Sequence, residues 1–101
     1  MPIPVIAIFD IGKTNKKLFL FDERYHIVHE RSKQFSETTD EDNDPCENLT
    51  ELNAWVLETF REVSALPEFD IRALNFSTYG ASFVHLDKNN KPVTPLYNYL
   101  K

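Results

Sequence analysis

Two short apolar runs open the chain and predict a hairpin of strands. Pro4 to Ile11 is rich in Val, Ile and Phe and predicts a strand that is apolar on both faces, as in the centre of a sheet. Lys17 to Asp22 predicts a second strand, and the short polar link between the two predicts an antiparallel hairpin. A third, more polar strand is predicted from Ile27 to Phe35, toward an edge of the sheet.

The middle of the chain predicts one amphipathic helix. Asp44 is the expected N-cap, Pro45 the first helical residue and Glu47 the residue that reaches back to the cap. Pro67 is expected to end the helix. Apolar residues at three- and four-residue spacing form its predicted buried stripe: Leu49, Leu52, Val56, Phe60 and Val63.

The last third of the chain predicts two more strands. These are Ile71 to Ser77 and Ser82 to Asp87, and an extended segment from Val93 to Leu100 follows. The element order is therefore β-β-β-α-β-β, and the helix returns the chain so that the fourth strand lies parallel to the first through a right-handed crossover. The predicted fold class is α/β with a mixed sheet.

Composition narrows the class of protein. The 101 residues allow one domain at most, and a formal net charge of -5 argues against nucleic-acid binding, which needs clustered Lys and Arg. The single Cys46 cannot form an internal disulfide, and no signal-like leader opens the sequence, so we expect a cytoplasmic location. The apolar run Val5 to Phe9 is far shorter than the ~20 residues of a membrane helix. We expect neither nucleic acid nor a membrane as a partner.

An acidic segment precedes the predicted helix. Ser36 to Asp44 carries five carboxylates and is predicted to be an exposed loop. Asp40, Asp42 and Asp44, with Glu51, match positions 1, 3, 5 and 12 of a calcium-binding loop. That loop needs glycine at position 6, where this chain has Pro45. The sequence therefore favours a solvated acidic loop over a calcium site.

The link between the first two strands has the chemistry of a phosphate site. Gly12 allows close backbone approach to an anion, Thr14 and Asn15 offer hydrogen-bond donors, and Lys13 or Lys17 offers charge. Asp10 ends an apolar strand, where a carboxylate is costly unless it has a use such as a water-bridged Mg²⁺. The alternative is a tight hairpin with lysines facing solvent.

Two stretches carry a resemblance to a known family. The run Asp10-x-Gly12-x-Thr14-Asn15-x-Lys17 resembles the first phosphate motif of the actin, Hsp70 and sugar-kinase superfamily. The run from Phe76 to Asp87 (FSTYGASFVHLD), followed by Lys91-Pro92-Val93-Thr94-Pro95, is similar to the sugar-side segment of the FGGY carbohydrate kinases. Asp44-Pro45 also matches that family's pattern, and the resemblance covers essentially the whole chain.

A finer resemblance concerns the branch of this family. Tyr79-Gly80-Ala81-Ser82-Phe83-Val84 looks closest to the rhamnulokinase-like branch. That branch usually has an aspartate where Ser82 stands, and a hydroxyl offers a sugar different hydrogen bonds from a carboxylate.

The resemblance implies an RNase H-like (actin-like ATPase) partial domain and ATP-dependent phosphorylation of a sugar hydroxyl, with ATP and Mg²⁺ as cofactors. It implies that Asp10 holds Mg²⁺ through water. The residues implied around the ATP phosphates are Gly12, Lys13, Thr14, Asn15 and Lys17. The residues implied at the sugar are Thr78, Tyr79, Gly80, Ala81, Ser82 and Phe83, with Tyr79 and Phe83 offering apolar surface to the ring.

The resemblance also implies that residues 1–101 are the N-terminal part of the first of two lobes. Family members are several times longer, and the general base lies downstream of Lys101, so no catalytic residue is expected in this chain and no activity from it alone. Its expected partners are sugar, ATP and either a second copy of itself or the missing C-terminal part. A truncated non-catalytic module that binds nucleotide or sugar and dimerises remains an alternative. An Hsp70-like or glucokinase-like ATPase is disfavoured by the Thr78-Tyr79-Gly80 loop, the Leu86-Asp87 pair and the Pro92/Pro95 turn that follow one another.

Overall fold

A computed structural model describes residues 1–80 and 84–97. In chain order the elements are β1 (Ile3–Ile11), β2 (Asn15–Phe21), β3 (Ile27–Gln34), β4 (Thr38–Thr39), β5 (Pro45–Glu47), α1 (Leu49–Ser64), β6 (Phe69–Thr78) and β7 (Leu96–Tyr97). The main sheet has the strand order β3-β2-β1-β6. β1 is antiparallel to β2 and parallel to β6. The predicted mixed sheet, its hairpin and its parallel first and fourth strands are confirmed.

The two faces of the main sheet have different environments. Side chains alternate along a strand, and Val5, Ala7 and Phe9 of β1 are buried on the face that α1 covers. Ile6, between them, is 37% exposed on the opposite face. Within the described residues α1 is the only helix, so that opposite face has no helix over it.

The helix begins later than predicted. Asn48 is the N-cap: its side-chain oxygen accepts the N–H of Glu51 at 3.1 Å, and its Nδ2 donates to Glu51 Oε2 at 3.2 Å. The predicted start with Asp44 as N-cap and Pro45 as first residue is wrong, because Pro45–Glu47 forms β5. Asp44 and Asn48 are both acceptable N-cap residues. The helix begins after Asn48 because the residues that follow Asp44 pair as a strand. The helix ends at Ser64, before Pro67, as predicted.

The apolar stripe of α1 packs on the sheet. Val63 is fully buried, and Leu52, Val56 and Phe60 are partly buried against the same core. Trp55 joins them, edge-on to the Phe9 ring at a centroid distance of 5.6 Å. The described part of the chain contains no helix that is both long and apolar enough to cross a membrane.

A small second sheet replaces part of the predicted acidic loop. Thr38–Thr39 pairs with β5, and β5 pairs with β7 on its other side. Asp40 is buried, and its Oδ1 accepts the N–H groups of Asp42 at 2.8 Å and Asp44 at 3.1 Å. The prediction of an exposed loop throughout is wrong, because this carboxylate closes the turn that lets β4 and β5 pair. Carboxylate oxygens of Asp40, Asp42 and Asp44 lie within 4.8 Å of one another. The Glu51 carboxylate accepts from Asn48 Nδ2 at the helix start.

The predicted strand from Ser82 to Asp87 is not found in its described part. Ser82 and Phe83 lie outside the described residues, and Leu86 forms a single bridge with Pro92. Asp87 closes the turn that follows, since its Oδ1 accepts the N–H groups of Asn89 and Lys91. The α/β class is confirmed, and the exact order β-β-β-α-β-β is not, because β4 and β5 precede the helix.

Candidate functional site

The turn between β1 and β2, residues 12–15, is called the Gly12 turn. The N–H of Gly12 donates to the carbonyl oxygen of Asn15 at 3.0 Å. A Cβ on Gly12 would lie 2.8 Å from that same oxygen, closer than real Cβ atoms approach a backbone atom. Glycine is therefore required by the close approach within the turn itself. The Gly12 N–H is thus bonded within the turn.

Two neighbouring lysines after the turn lie on opposite faces of the sheet. Lys17 is the strand partner of Asp10 and shares its face, and its Nζ lies 5.9 Å from the centre of the Phe19 ring. Lys16 points to the face that α1 covers and is 0% exposed. Alternation along β2 accounts for this, because Lys16 is in register with the buried Leu18. Only one of the two can therefore meet a ligand at the surface.

Asp10 is exposed at the end of β1. Its carboxylate forms no hydrogen bond or ion pair with any residue in the described ranges. The free-energy cost that was expected from burying this carboxylate therefore does not arise, because the side chain is exposed. An exposed oxygen donor of this kind still fits Mg²⁺, which keeps several of its waters and uses few protein carboxylates.

The outer side chains of the Gly12 turn are also available. Thr14 and Asn15 are exposed, and neither side chain bonds to a residue of the described part of the chain. Together with Asp10 and Lys17 they present a carboxylate, an ammonium group, a hydroxyl and an amide. This mixture of charge and hydrogen-bond donors can bind a phosphate group directly or through a cation.

The end of β6 lies beside the Gly12 turn. Ile11 is the strand partner of Thr78, and the N–H of Tyr79 donates to the carbonyl oxygen of Ile11 at 3.3 Å. Gly80 follows with open space around its Cα. The two segments singled out in the sequence thus meet at the carboxyl ends of two parallel strands. Ala81, Ser82 and Phe83, also singled out, lie outside the described residues.

A buried charged cluster lies beneath the two segments. The Nζ of Lys16 donates to both carboxylate oxygens of Glu47, at 3.2 and 3.1 Å, and to the carbonyl oxygen of Lys13 at 2.7 Å. The hydroxyl of Tyr79 donates to Glu47 Oε1 at 2.6 Å. Lys16, Glu47 and Tyr79 form what we call the Glu47 cluster.

Sequence reasoning missed two members of this cluster. A lysine in register with Leu18 and Leu20 is a detectable signal, because a buried ammonium group needs a partner. Nothing local identifies Glu47 as that partner, which lies 31 residues away. The sequence pattern instead predicted that Glu47 belongs to the start of the helix.

A cleft of ≈ 450 Å³ opens between α1 and the end of β6. Most of its lining is apolar, and the polar groups in it come from Glu47, Asn53, Thr78 and Tyr79. Apolar walls with a few convergent polar groups are typical of small-molecule sites. The cleft includes the two described sugar-side residues that carry hydroxyl groups at the strand end.

Comparison with known proteins identifies the family. A model of the N-terminal domain of the FGGY family of carbohydrate kinases matches residues 5–99. The chain belongs to this family. A gluconokinase from Bacillus subtilis (strain 168) is 31% identical to this chain over 87 residues, which are 85% of this chain and 17% of that enzyme.

Solved structures support the same fold. A gluconate kinase from Lactobacillus acidophilus matches with a TM-score of 0.79 and 20% identity, over 94% of this chain and 19% of that one. A ligand-bound xylulose kinase from the same organism matches with the same TM-score, identity and coverage. The fold of this chain is therefore that of sugar-kinase N-terminal domains. The chain spans less than a fifth of the length of each of these three relatives.

Proposed function

We propose that this chain is the N-terminal part of an ATP-dependent sugar kinase that transfers the γ-phosphoryl group to a sugar hydroxyl. The observation that supports this most is the pairing of Ile11 with Thr78 and the hydrogen bond from Tyr79 to Ile11. It brings the Gly12 turn and the segment that follows β6 together at the carboxyl ends of parallel strands, where open α/β sheets bind ligands.

The ATP side of the proposed site is the Gly12 turn. Lys13 and Lys17 would supply positive charge to the phosphates, and Thr14 and Asn15 would donate hydrogen bonds from exposed positions. Gly12 would contribute by shaping the turn, since its N–H is bonded within it. Asp10 would hold Mg²⁺ through water, and the cation supplies neutralisation of the charge on the transferred phosphoryl group. This chemistry depends mainly on position and charge.

The sugar side is the segment from Thr78 to Phe83. Thr78 and Tyr79 line the cleft beside α1, and Tyr79 and Phe83 would offer apolar surface to a sugar ring. We propose the rhamnulokinase-like branch, hence a deoxy-ketose of the rhamnulose type, with Ser82 altering the preference. The relatives of the chain include a gluconokinase and a xylulose kinase, so a sugar acid and a pentulose are the competing substrates.

We propose that the general base lies in a further part of the polypeptide and that residues 1–101 alone have no kinase activity. The partner of the chain would be that further part, which would complete the site. A reducing cytoplasm is the proposed location, and a sequence with a single cysteine, the buried Cys46, is consistent with it.

The test starts from the polypeptide as its natural host makes it. We expect an intact mass several times 11.8 kDa and ADP release with Mg²⁺, ATP and one of rhamnulose, gluconate or xylulose. The 101-residue chain, assayed beside it, is expected to show no turnover. Turnover by the short chain would contradict the proposed division of the site.

Two further outcomes separate the alternatives. A host polypeptide close to 11.8 kDa that binds ATP or a sugar without turnover would favour the non-catalytic binding module. An intact protein that releases no ADP with any sugar tested and binds no nucleotide would overturn the proposed function.

A further inference from the structure

The Glu47 cluster joins three segments that are distant in sequence. Lys16 is 0% exposed and Glu47 is 4% exposed, so both charges are removed from water. Lys16 Nζ also lies 5.4 Å from the centre of the Phe35 ring, which covers it on one side. The segments joined are the Gly12 turn through the Lys13 carbonyl, β5 through Glu47, and the end of β6 through Tyr79.

Stability alone does not explain this arrangement. A buried ion pair is often replaced by apolar residues of similar volume without loss of stability, because desolvation offsets the attraction of the charges. The surrounding core is apolar and includes Phe9, Ile11 and Leu18, so apolar side chains would fit the environment. What apolar side chains would lose is the directional bonding of a backbone carbonyl on one side and a tyrosine hydroxyl on the other.

We propose that Glu47 is a positioning residue that couples the sugar side of the site to the phosphate side. Its Oε1 accepts from Tyr79, and both of its oxygens hold the ammonium group of Lys16, which in turn binds the carbonyl of Lys13. A polyhydroxylated ligand at Tyr79 and a nucleoside triphosphate at the Gly12 turn then affect each other's affinity. This ligand coupling rests on the proposed function, whereas the mechanical coupling between Tyr79 and the turn does not.

The cluster is a side-chain connection between the segments, and it can be separated from the backbone connections. The backbone connections include the pairing of Ile11 with Thr78 and the bond from Tyr79 N–H to the Ile11 carbonyl. Tyr79→Phe removes only the hydroxyl and keeps the backbone bond. The matched control is Tyr97→Phe, because the Tyr97 hydroxyl donates to Glu41 Oε1 at the same 2.6 Å on the exposed side of the small sheet.

The first experiment needs no ligand. Deuterium uptake by the peptide covering residues 11–18 is measured by mass spectrometry in the protein as its host makes it. We expect Tyr79→Phe to speed exchange in this peptide at least about threefold, since hydrogen bonds to charged groups are worth more than neutral ones. Tyr97→Phe is expected to leave it unchanged. Unchanged exchange in Tyr79→Phe would overturn the inference, whatever the protein binds.

The second experiment measures the coupling itself. The affinity for ATP is compared with and without saturating sugar, and we expect a ratio of about fivefold or more in the wild type, as is common for coupled sites. In Tyr79→Phe the ratio should approach one, and in Tyr97→Phe it should stay at the wild-type value. A merely structural role for Tyr79 would lower stability without changing this ratio, and that result would overturn the coupling.

Glu47→Gln provides a second variant. The amide can still accept from Tyr79 but leaves Lys16 without an opposite charge. We expect faster exchange at residues 11–18 and loss of the coupling ratio; wild-type values for both in a folded variant would overturn the inference. If this variant does not fold, Tyr79→Phe decides by itself. If wild-type protein binds no ligand, the proposed function fails, and the deuterium experiment still decides the role of the cluster.

Discussion

The two turns at the ends of β2 are stabilised in different ways. In the turn of residues 22–26, called the Asp22 turn, Asp22 Oδ1 accepts the N–H groups of Arg24 and His26, each at 2.9 Å. In the Gly12 turn no side chain of the turn has that role, and support comes from below, where Lys16 binds the carbonyl of Lys13 at 2.7 Å. The outer side chains Thr14 and Asn15 are left exposed.

This difference separates a self-contained turn from one that is available for a ligand. A turn that bonds to its own aspartate uses its polar groups locally. The Gly12 turn, supported by a buried ammonium group, keeps the Thr14 hydroxyl and the Asn15 amide exposed. The Glu47 cluster therefore supports this turn without using these two outer groups. Variants that remove the support of each turn separately test this difference.

The largest effect is expected from removing the buried support. Lys16→Met leaves the Glu47 carboxylate buried without its partner, and loss of one member of a buried pair costs about 3–5 kcal/mol in the free energy of unfolding. Urea denaturation measures it. The control is Lys33→Met, because Lys33 pairs with Glu51 at 3.4 Å near the surface, where an ion pair contributes at most about 1 kcal/mol. Equal losses in both variants would contradict a special role for Lys16.

The next effect concerns the outer side of the Gly12 turn and is on activity rather than stability. Asp10→Asn keeps the size of an exposed side chain, so the free energy of unfolding should change by less than about 0.5 kcal/mol. On the proposed role of Asp10 at Mg²⁺, turnover of the full-length protein should fall about 10- to 100-fold, as for groups that act on a metal through its outer shell. The assay is ADP release at saturating sugar across a range of Mg²⁺ concentrations. An unfolded variant with normal specific activity in its folded fraction would make Asp10 a structural residue.

A smaller effect is expected from the geometry of the same turn. Gly12→Ala places a Cβ 2.8 Å from the Asn15 carbonyl oxygen, and the backbone shift that follows should cost about 1–3 kcal/mol. Gly80→Ala is the matched control, since nothing lies within 4 Å of its Cβ position. Thermal denaturation of both variants compares them. Similar melting temperatures would show that the Gly12 turn accommodates a side chain without strain.

The sequence predicted the elements whose signals are local. β1 and β2 follow from their apolar runs and the short polar link between them, β3 was predicted as a more polar strand, and α1 follows from its stripe of apolar residues. The start of α1 could not be predicted, because Asp44-Pro45 and Asn48-x-x-Glu51 are both acceptable helix starts. Strand pairing of β5 with Thr38–Thr39 and with Leu96–Tyr97 decides between them, and neither pairing has a local signal.

The candidate site divides in the same way. The positions of Asp10, Lys17 and Thr78 follow from strand registers that a sheet of known order would fix. The burial of Lys16 could have been predicted from the alternation along β2. Its partner Glu47 could not, because the contact depends on β5 lying under the turn. The register of each lysine in β2 separates Lys16, which supports the turn, from Lys17, which can meet a ligand at the surface.

The smallest effect is expected at the Asp22 turn. The His26 N–H that donates to the carboxylate, together with that of Arg24, lowers the pKa of Asp22 below its ordinary value of 3.8. A lowered pKa in the folded state stabilises the protein above the unfolded pKa, and this contribution is lost as pH falls through the folded pKa. Asp22→Asn should remove this acid-dependent part of stability and leave the Gly12 turn unchanged. Denaturation midpoints of both proteins across acidic pH measure it, and an Asp22 carboxyl that titrates at or above 3.8 would contradict the self-contained turn.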